Sequence, residues 1–266
     1  MNGTLSAVEI AVGQALSVLK HAPAALVTDV DGTISSIVSR PEDATVSDDI
    51  KASLERLARH LSQVAVITAR EERVARRMVG VEALTYVGNY AVQSKQAGAG
   101  ESSSFHELIS IVRPLLAAMP CVMLEEKGIA FSLHYRNCKE GGIRERLIAL
   151  VEPLALRAGA KLVEGKQVIE IVPARLPDKG SALADLLDAT AVRGTVYLGD
   201  DLSDIPAFGE IVLRRREGRL QALAIAVVDS ETPAALRAAA DIELSGVGQV
   251  SQFFERLADA IQAGEG

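Results

Sequence analysis

The sequence predicts an α/β protein in which a parallel β-sheet carries helices on both faces and a smaller α+β domain interrupts the chain. Short runs rich in Val, Ile and Leu alternate with amphipathic helices, and such continuous apolar runs suit strands that are covered on both faces. Because strand and helix in alternation favour right-handed crossovers, we expect a Rossmann-like core. The apolar runs are Ala24–Thr28, Val64–Thr68, Thr195–Leu198 and Leu223–Val228.

Helix start signals follow the loops between these predicted strands. Ser47 precedes Asp48 and Asp49, which is the pattern of an N-cap and an acidic first turn. Thr232 precedes Pro233, which is typical of a cap followed by proline at the first helical position. These signals support the alternation of strand and helix on either side of the middle segment.

The middle of the chain has a different order of elements. It reads as a helix, a hairpin, a second helix and a second hairpin, which is typical of an antiparallel α+β domain. We therefore expect residues 1–90 and 173–266 to form the core, and 91–172 an inserted domain. The Gly- and Ser-rich stretch Ala97–Ser104 is predicted to be an exposed loop. The predicted elements are Phe105–Ala118, Cys121–Glu126 with Ile129–Tyr135, Gly142–Ala158, and Lys161–Val163 with Gln167–Val172.

Composition excludes several classes of function. The 266 residues include 35 acidic against 28 basic residues, a net charge of −7, which disfavours nucleic acid as a partner. The apolar segments are short, and the start MNGTLSAVEI lacks the basic-then-apolar pattern of a secretory signal. We expect a cytoplasmic protein with no membrane partner; the oligomeric state stays open. Cys121 and Cys138 have no CxxC spacing, so they are expected to be thiols rather than a disulfide or zinc ligands.

Two aspartates end the first predicted strand in the stretch ALVTDVDGTIS. Because side chains two apart on an extended backbone point the same way, Asp29 and Asp31 can address one site. Two like charges about 4 Å apart at an effective dielectric of about 20 cost about 4 kcal/mol, so one acid is protonated or a cation lies between them. Mg²⁺ with oxygen ligands is the simplest cation. The alternative is an Asp-Gly turn with solvated acids.

Further polar groups are expected at the same edge of the sheet. Gly32 and Thr33 allow a sharp turn and offer backbone N–H groups and a hydroxyl to a phosphate. A second strand ends in LGDDLSD, which supplies Asp200, Asp201 and Asp204. Since sites in open parallel sheets form at the carboxyl ends of strands, both acidic clusters together predict a metal site. For either cluster alone, a solvated turn remains the alternative.

A threonine, an arginine and a lysine complete the candidate site. Thr68 ends another strand, where its hydroxyl can bind phosphate or cap the following helix. Arg70, two residues later, is expected to be a solvated surface residue. Lys179 lies in the first turn of a helix, where its charge opposes the macrodipole unless an anion lies in front of both. With the aspartates, Lys179 is predicted to neutralise the reacting carboxylate and to bind phosphate.

The ordered set of DVDGT, a strand ending at Thr68, Lys179 and GDDLSD resembles the haloacid dehalogenase-like phosphatases. The resemblance implies that Asp29 is the nucleophile that forms an aspartyl-phosphate and that Asp31 is the general acid/base. It also implies Mg²⁺ held by Asp29, the backbone carbonyl of Asp31 and Asp200, with Asp201 and Asp204 supporting. Phosphate would be bound by Gly32, Thr33, Thr68 and Lys179.

Within that superfamily, four segments resemble the trehalose-6-phosphate phosphatases: LEEKGIAFSLHYR, GKQVIEIVP, DKG and YLGDDLSDIPAF. The resemblance implies that the inserted domain is a cap, with hinges near Asn89–Val92 and Val172–Arg175. It implies a sugar phosphate as substrate. The residues implied to bind sugar hydroxyls are Glu125, Lys127, Arg136 and Glu170; the alternative is that they form the charged outer face of a sheet.

The chain departs from that family's pattern at two places. It has Thr68, Ala69 and Arg70 where the family usually has Ser-Gly-Arg, which preserves the hydroxyl. It has VGNYAVQ where the family usually has a His-Gly pair, so the identity of the sugar in the substrate is not fixed by the motifs. Two alternatives therefore stand beside trehalose 6-phosphate hydrolysis: a phosphatase for a different glycosyl phosphate, and a non-catalytic phospho-sugar-binding regulatory module.

Overall fold

The computed structural model describes residues 5–88, 99–127, 130–174 and 178–264. The chain divides into two compact units, one of Met1–Tyr90 with Asp178–Gly266 and one of Ala91–Pro177. The predicted return to the core at residue 173 is wrong by a few residues. Pro173 still pairs with Ala160 in the sheet of the second unit, so that strand holds it there.

In the described part of the first unit, a six-stranded parallel sheet has the order β10-β9-β8-β1-β2-β3. This confirms the predicted α/β class with a parallel sheet. The strands are β1 (Ala24–Thr28), β2 (Gln63–Ile67), β3 (Thr85–Val87), β8 (Gly194–Gly199), β9 (Gln221–Val228) and β10 (Ile242–Ser245). The helices are α1 (Ala7–Leu19), α2 (Asp48–His60), α3 (Glu72–Val79), α6 (Lys179–Thr190), α7 (Ile205–Arg216), α8 (Ala234–Ala239) and α9 (Gly246–Gly264).

Strand β1 lies at the centre of this sheet and is buried over its whole length. Its alternate side chains enter two apolar layers: Leu26 packs with one cluster, and Ala25 and Val27 pack with another. This is the packing expected of a continuous apolar strand that helices cover on both faces. Strands β2 and β8 flank β1 in parallel, so the three carboxyl ends lie at one edge.

The two predicted helix starts have different outcomes. Ser47 is the N-cap of α2, and its hydroxyl accepts a hydrogen bond from the Ile50 N–H, as predicted. The predicted Thr232 cap is wrong, because α8 begins at Ala234 with Pro233 in the cap position. The Thr232 hydroxyl instead accepts from the Asp229 N–H in the preceding turn.

The second unit contains an antiparallel four-stranded sheet of order β4-β5-β7-β6 among its described residues, which confirms the predicted class of the inserted segment. Helix α4 begins at Ala99, so the predicted loop is wrong from that residue on; residues 97 and 98 lie outside the described residues. Ser and Gly lower helix stability by only about 0.5–1 kcal/mol each, and the buried Phe105 anchors the continuing helix. The elements are α4 (Ala99–Leu115), β4 (Met123–Glu126), β5 (Phe131–His134), α5 (Ile143–Arg157), β6 (Ala160–Gly165) and β7 (Val168–Pro173).

The two predicted hinges lie partly outside the described residues and stay predictions. Residues 89–92 lie outside them, as does Arg175. Val172 and Pro173 are the last residues of β7 rather than part of a loop. Among the described residues, none of the helices combines the length and the apolar character needed to cross a membrane.

The prediction of two thiols is wrong, because Cys121 and Cys138 form a disulfide with their Cα atoms 5.1 Å apart. These cysteines flank β4 and β5, which pair with Met123 opposite His134. The register of that hairpin therefore brings the two cysteines together. Sequence spacing alone could not show this, because the pairing follows from the strand register.

Candidate active site

The site lies at the carboxyl edge of the parallel sheet, where successive strands end side by side. Asp29 follows β1, Thr68 follows β2 and Asp200 follows β8. The Asp29 N–H donates to the Leu198 carbonyl oxygen at 2.9 Å, which keeps the ends of β1 and β8 aligned. Residues far apart in sequence thus reach one edge, as the parallel topology requires.

Three buried aspartates form a candidate metal site: Asp29, Asp200 and Asp204. Each offers one carboxylate oxygen, and these oxygens lie within 4.8 Å of one another. Gly32 has a φ of +85°, and a Cβ there would lie 1.9 Å from Asp200 Oδ2, so the backbone approaches the carboxylate as only glycine allows. A cluster of hard oxygen donors this close fits a divalent cation such as Mg²⁺.

Asp204 holds the cluster together through both of its oxygens. Its Oδ1 accepts from Lys179 Nζ at 2.7 Å and from the Tyr197 hydroxyl at 2.8 Å. Its Oδ2 accepts from the N–H groups of Asp200 and Asp201, each at 3.1 Å. Asp204 therefore orients the loop that carries Asp200. The Asp201 side chain accepts from the Leu202 N–H and caps the short helix that follows, Leu202–Asp204.

Lys179 is the first residue of α6 and is buried beside the acidic cluster. Its Nζ lies 3.1 Å from Asp29 Oδ1 as well as 2.7 Å from Asp204 Oδ1. The side chain of Asp178 caps the same helix by accepting from the Ser181 N–H. A lysine at a helix start is thus compensated by two carboxylates that face it.

Burial dominates the electrostatics of the site and raises the pKa of Asp29 well above its usual range. The charge of Lys179 lowers that pKa, while the charges of Asp204 and Asp200 raise it further. A cation among these carboxylates would favour their ionised forms. The pKa of Tyr197 is also raised, by burial and by Asp204, so Tyr197 remains a hydrogen-bond donor.

In the loop after β1, backbone N–H groups form hydrogen bonds within the turn. The Gly32 N–H donates to the Ser35 carbonyl oxygen at 2.7 Å, and the Thr33 N–H donates to Val30 at 3.2 Å. Both N–H groups thus take part in closing the turn, and their contact with a phosphate stays a prediction. The Thr33 hydroxyl is buried and donates to Asp200 Oδ1 at 3.3 Å.

Thr68 and Arg70 lie at the end of β2. Thr68 is buried, and its hydroxyl accepts from the Arg70 N–H at 3.2 Å. The predicted helix cap is wrong, because α3 has Glu71 in the cap position and no side-chain cap hydrogen bond. Arg70 contacts Asp31 through two parallel hydrogen bonds, Nε to Oδ2 and Nη2 to Oδ1, both 2.7 Å long. The arginine side chain is only 10% exposed, so the expectation of a solvated Arg70 is wrong. The loop after β2 thus contacts the loop after β1 through this pair.

Asp29 and Asp31 consequently have different positive neighbours. Lys179 lies beside Asp29, and Arg70 lies beside Asp31. The carboxylate of Asp31 is not a member of the cluster of Asp29, Asp200 and Asp204. Each of the two carboxylates thus has a positive neighbour of its own, and a cation between them stays a prediction.

A second polar network lies on one face of the sheet in the second unit. Glu125 pairs with Ser132 and Ser132 with Glu170 across β4, β5 and β7, so these side chains share a face. Lys127 Nζ donates to Glu170 Oε1 at 2.7 Å and lies 3.8 Å from Glu125. His134 Nε2 lies 2.8 Å from Glu125 Oε2. The sequence left His134 without an assigned role, and its position two residues from Ser132 places it on the same face.

Arg136 is the fourth predicted sugar-binding residue and lies just after β5. Its Nη2 donates to the Lys166 carbonyl oxygen at 2.9 Å, across the turn between β6 and β7. Glu125, Lys127 and Glu170 form one network, and Arg136 contacts the turn between β6 and β7.

The family model described as trehalose-phosphatase matches residues 27–241. The chain belongs to the trehalose-phosphatase family. A trehalose-phosphate phosphatase of Mycolicibacterium paratuberculosis is 29% identical over 252 residues, which cover 90% of this chain and 63% of that protein. An uncharacterised glycosyl hydrolase of Mycobacterium tuberculosis is 32% identical over 254 residues, 90% of this chain and 18% of that protein. The chain thus spans less than two thirds of either relative.

A solved structure of the trehalose-6-phosphate phosphatase C-terminal domain from C. albicans superposes with a TM-score of 0.78. The match covers 97% of this chain and 99% of that chain at 17% identity, so it shows the shared fold. A trehalose-6-phosphate phosphatase-related protein also superposes, with a TM-score of 0.70 and 91% coverage of this chain. The fold and the family inferred from the sequence motifs are confirmed.

Proposed function

We propose that this chain is a Mg²⁺-dependent phosphatase that hydrolyses trehalose 6-phosphate to trehalose and phosphate. The observation that carries the proposal is the buried Asp29, 3.1 Å from Lys179 and clustered with Asp200 and Asp204. Membership of the trehalose-phosphatase family supports the reaction. The names of relatives such as the M. paratuberculosis protein support the substrate.

Phosphoryl transfer would proceed in two steps. In the first, an Asp29 oxygen bonds to phosphorus while the bond from phosphorus to the sugar oxygen breaks, and Asp31 gives that oxygen its proton. In the second, a water oxygen attacks phosphorus, Asp31 takes the proton, and Asp29 leaves as a free carboxylate with release of phosphate. Lys179 neutralises charge on Asp29 and on the phosphoryl oxygens throughout.

The remaining polar groups have supporting roles in this scheme. Asp29, the backbone carbonyl of Asp31 and Asp200 would hold Mg²⁺, and Asp204 would hold Asp200 in place. A bound Mg²⁺ supplies positive charge to the phosphoryl oxygens and fixes their orientation. Thr68 and Lys179 would bind phosphate. The residues proposed to bind sugar hydroxyls are Glu125, Lys127, Arg136 and Glu170.

Compartment and assembly stay predictions. The disulfide of Cys121 and Cys138 argues against the predicted cytoplasmic location, because reducing compartments keep thiols reduced. The oligomeric state is open.

The substrate is tested by phosphate release from a panel of sugar phosphates with and without Mg²⁺. We expect the highest kcat/KM for trehalose 6-phosphate, loss of activity with a chelator and recovery on adding Mg²⁺. Activity that the chelator leaves unchanged would contradict the proposal, as would a lack of activity on every sugar phosphate. A different glycosyl phosphate at the top of the panel would keep the chemistry and replace the substrate.

The nucleophile is tested with Asp29→Asn. We expect turnover to disappear with the circular dichroism spectrum unchanged, since an amide is a poor nucleophile of nearly the same shape. The matched control is Asp259→Asn, an exposed residue whose carboxylate pairs with Arg56, and it should retain activity. Substantial activity in Asp29→Asn would remove Asp29 from this role. Stable phosphorylation of Asp29 without turnover would favour the regulatory module.

A further inference from the structure

We infer that Arg70 is a positioning residue that fixes the carboxyl group of Asp31 for proton transfer in the proposed phosphatase reaction. The inference rests on the proposed function and adds a residue that sequence reasoning assigned to the solvated surface. Its basis is the pair of parallel hydrogen bonds from Nε and Nη2 of Arg70 to the two oxygens of Asp31, each 2.7 Å long.

The arginine is itself firmly held. Its side chain is 10% exposed, whereas that of Asp31 is 40% exposed, so a buried guanidinium supports a carboxyl group that remains open to solvent. Arg70 Nη1 also donates to the Pro41 carbonyl oxygen at 3.1 Å. The guanidinium therefore joins the loop after β1, the loop after β2 and the turn at Pro41–Asp43.

The two-bond geometry has a specific consequence for Asp31. A carboxyl group held through one oxygen can still rotate about its Cβ–Cγ bond, whereas two parallel bonds define both its position and its plane. Each carboxylate oxygen has two lone-pair directions, so one remains on each oxygen for a substrate or water. Arg70 thus orients Asp31 without occupying all of its bonding capacity.

Position matters more for Asp31 than for most acids because it would act in both steps. The same group would donate a proton to the sugar oxygen and later accept one from water, so it must occupy one place in both steps. A displacement of about 1 Å can lower the rate about 10²-fold. A lysine at position 70 could reach only one oxygen, as a point charge, and would lose the orientation.

The test is a double-mutant cycle of Arg70→Lys and Asp31→Asn, read as single-turnover and steady-state rates on trehalose 6-phosphate. Alone, Arg70→Lys should lower kcat about tenfold or more with KM changed by less than about threefold. In the Asp31→Asn background, the same substitution should lower kcat by less than about twofold, since Arg70 acts through the carboxyl group of Asp31. The matched control Arg73→Lys, an exposed arginine paired with Glu71, should leave the rates unchanged.

Two further readouts separate positioning from a merely structural role. With p-nitrophenyl phosphate, whose leaving group departs without a proton, the first-step burst in Arg70→Lys should match that of the wild type. In Arg70→Ala, added guanidinium ion should restore part of kcat. This rescue experiment tests the positioning role even if the Arg70→Lys variant folds poorly.

The outcomes distinguish the inference from the function it rests on. If Arg70→Lys lowered kcat equally in the wild-type and Asp31→Asn backgrounds, the positioning role would be overturned. A rise in KM alone would also overturn it and would indicate that Arg70 binds the phosphate of the substrate. An equal loss in the rate of the first-step burst on p-nitrophenyl phosphate would also overturn it. A wild-type protein inactive on every sugar phosphate would defeat the proposed function and this inference together, whereas the other results arise in an active enzyme.

Discussion

Two aspartates two positions apart acquire different environments in the folded protein. Asp29 is buried against Lys179, and Asp31 is partly exposed and held by Arg70. Groups with different surroundings can carry different chemical roles, which here are the proposed nucleophile and the proposed acid/base. Asp29 directly follows β1, whereas Asp31 lies beside Gly32, where the backbone packs against Asp200.

Gly32→Ala should damage both stability and activity. The residue has a φ of +85°, and the added methyl group would lie 1.9 Å from Asp200 Oδ2, so backbone and carboxylate must both move. We expect the free energy of unfolding to fall by about 1–3 kcal/mol, measured by denaturant titration, with loss of phosphatase activity.

The matched control for that prediction is Gly13→Ala in the middle of α1. A methyl group there would meet no described atom within 4 Å, and the residue is helical. We expect the free energy of unfolding to rise by about 0.5–1 kcal/mol, because alanine loses less backbone entropy than glycine. A Gly32→Ala protein as stable as the wild type would show that the loop does not pack against Asp200 as described.

At the scale of elements, an arginine links α6 and α7 in addition to their apolar packing. Arg214 on α7 donates to Asp188 on α6 at 2.6 Å and to Glu210 on its own helix at 2.5 Å. It also donates to the Ala184 carbonyl oxygen at 3.3 Å. Since α6 begins at Lys179, this contact supports a helix that carries a site residue.

The ion pair predicts a pH dependence of stability. The hydrogen bond from Arg214 lowers the pKa of Asp188, so the folded state favours the ionised form. The stabilisation is therefore present above the ordinary aspartate pKa of about 3.9 and is lost as pH falls through the lower folded value. Asp188→Asn should be less stable than the wild type at neutral pH, and this difference should vanish in acid. A difference that persists at the lowest pH would contradict the assignment.

The disulfide predicts a second effect at this scale. It joins cysteines 17 residues apart on either side of β4 and β5, and closing a loop of that length restricts the unfolded chain. Replacing both Cys121 and Cys138 by Ser should lower the free energy of unfolding by about 3 kcal/mol under oxidising conditions. With reductant, wild type and variant should converge. Free thiols in the folded, unreduced protein would contradict the pairing.

At the scale of the whole molecule, the chain forms two units, and the described residues of the candidate active site lie in the first. Asp29 and Thr68 precede the second unit along the chain, and Lys179 and Asp200 follow it. The site is complete only when both outer segments pair in one sheet, through the contact of β1 with β8. Ligands of this site should therefore stabilise the first unit.

Mg²⁺ should raise the thermal unfolding transition of the first unit. A ligand at 100 times its dissociation constant stabilises the folded state by about 2.7 kcal/mol. Differential scanning calorimetry with increasing Mg²⁺ should show the shift in the wild type and in Asp259→Asn, but not in Asp200→Asn. An equal shift in Asp200→Asn would place the cation elsewhere.

The sequence by itself determined the architecture and the centre of the site. Continuous apolar runs predicted the parallel strands, and hairpin patterns predicted the antiparallel sheet, because both depend on the local periodicity of side chains. The acids that follow β1 and β8 were then expected at one edge, since parallel strands end together. Asp29 and Asp200 meet there in the folded chain.

Only the tertiary structure decided which charged groups and which cysteines pair. Arg70 reaches Asp31 across 39 positions, and His134 reaches Glu125 from a neighbouring strand. Cys121 and Cys138 meet because of the register of β4 and β5. A local pattern specifies the element in which a residue lies and the face on which it lies, but a contact between elements depends on how loops and registers bring distant backbone together.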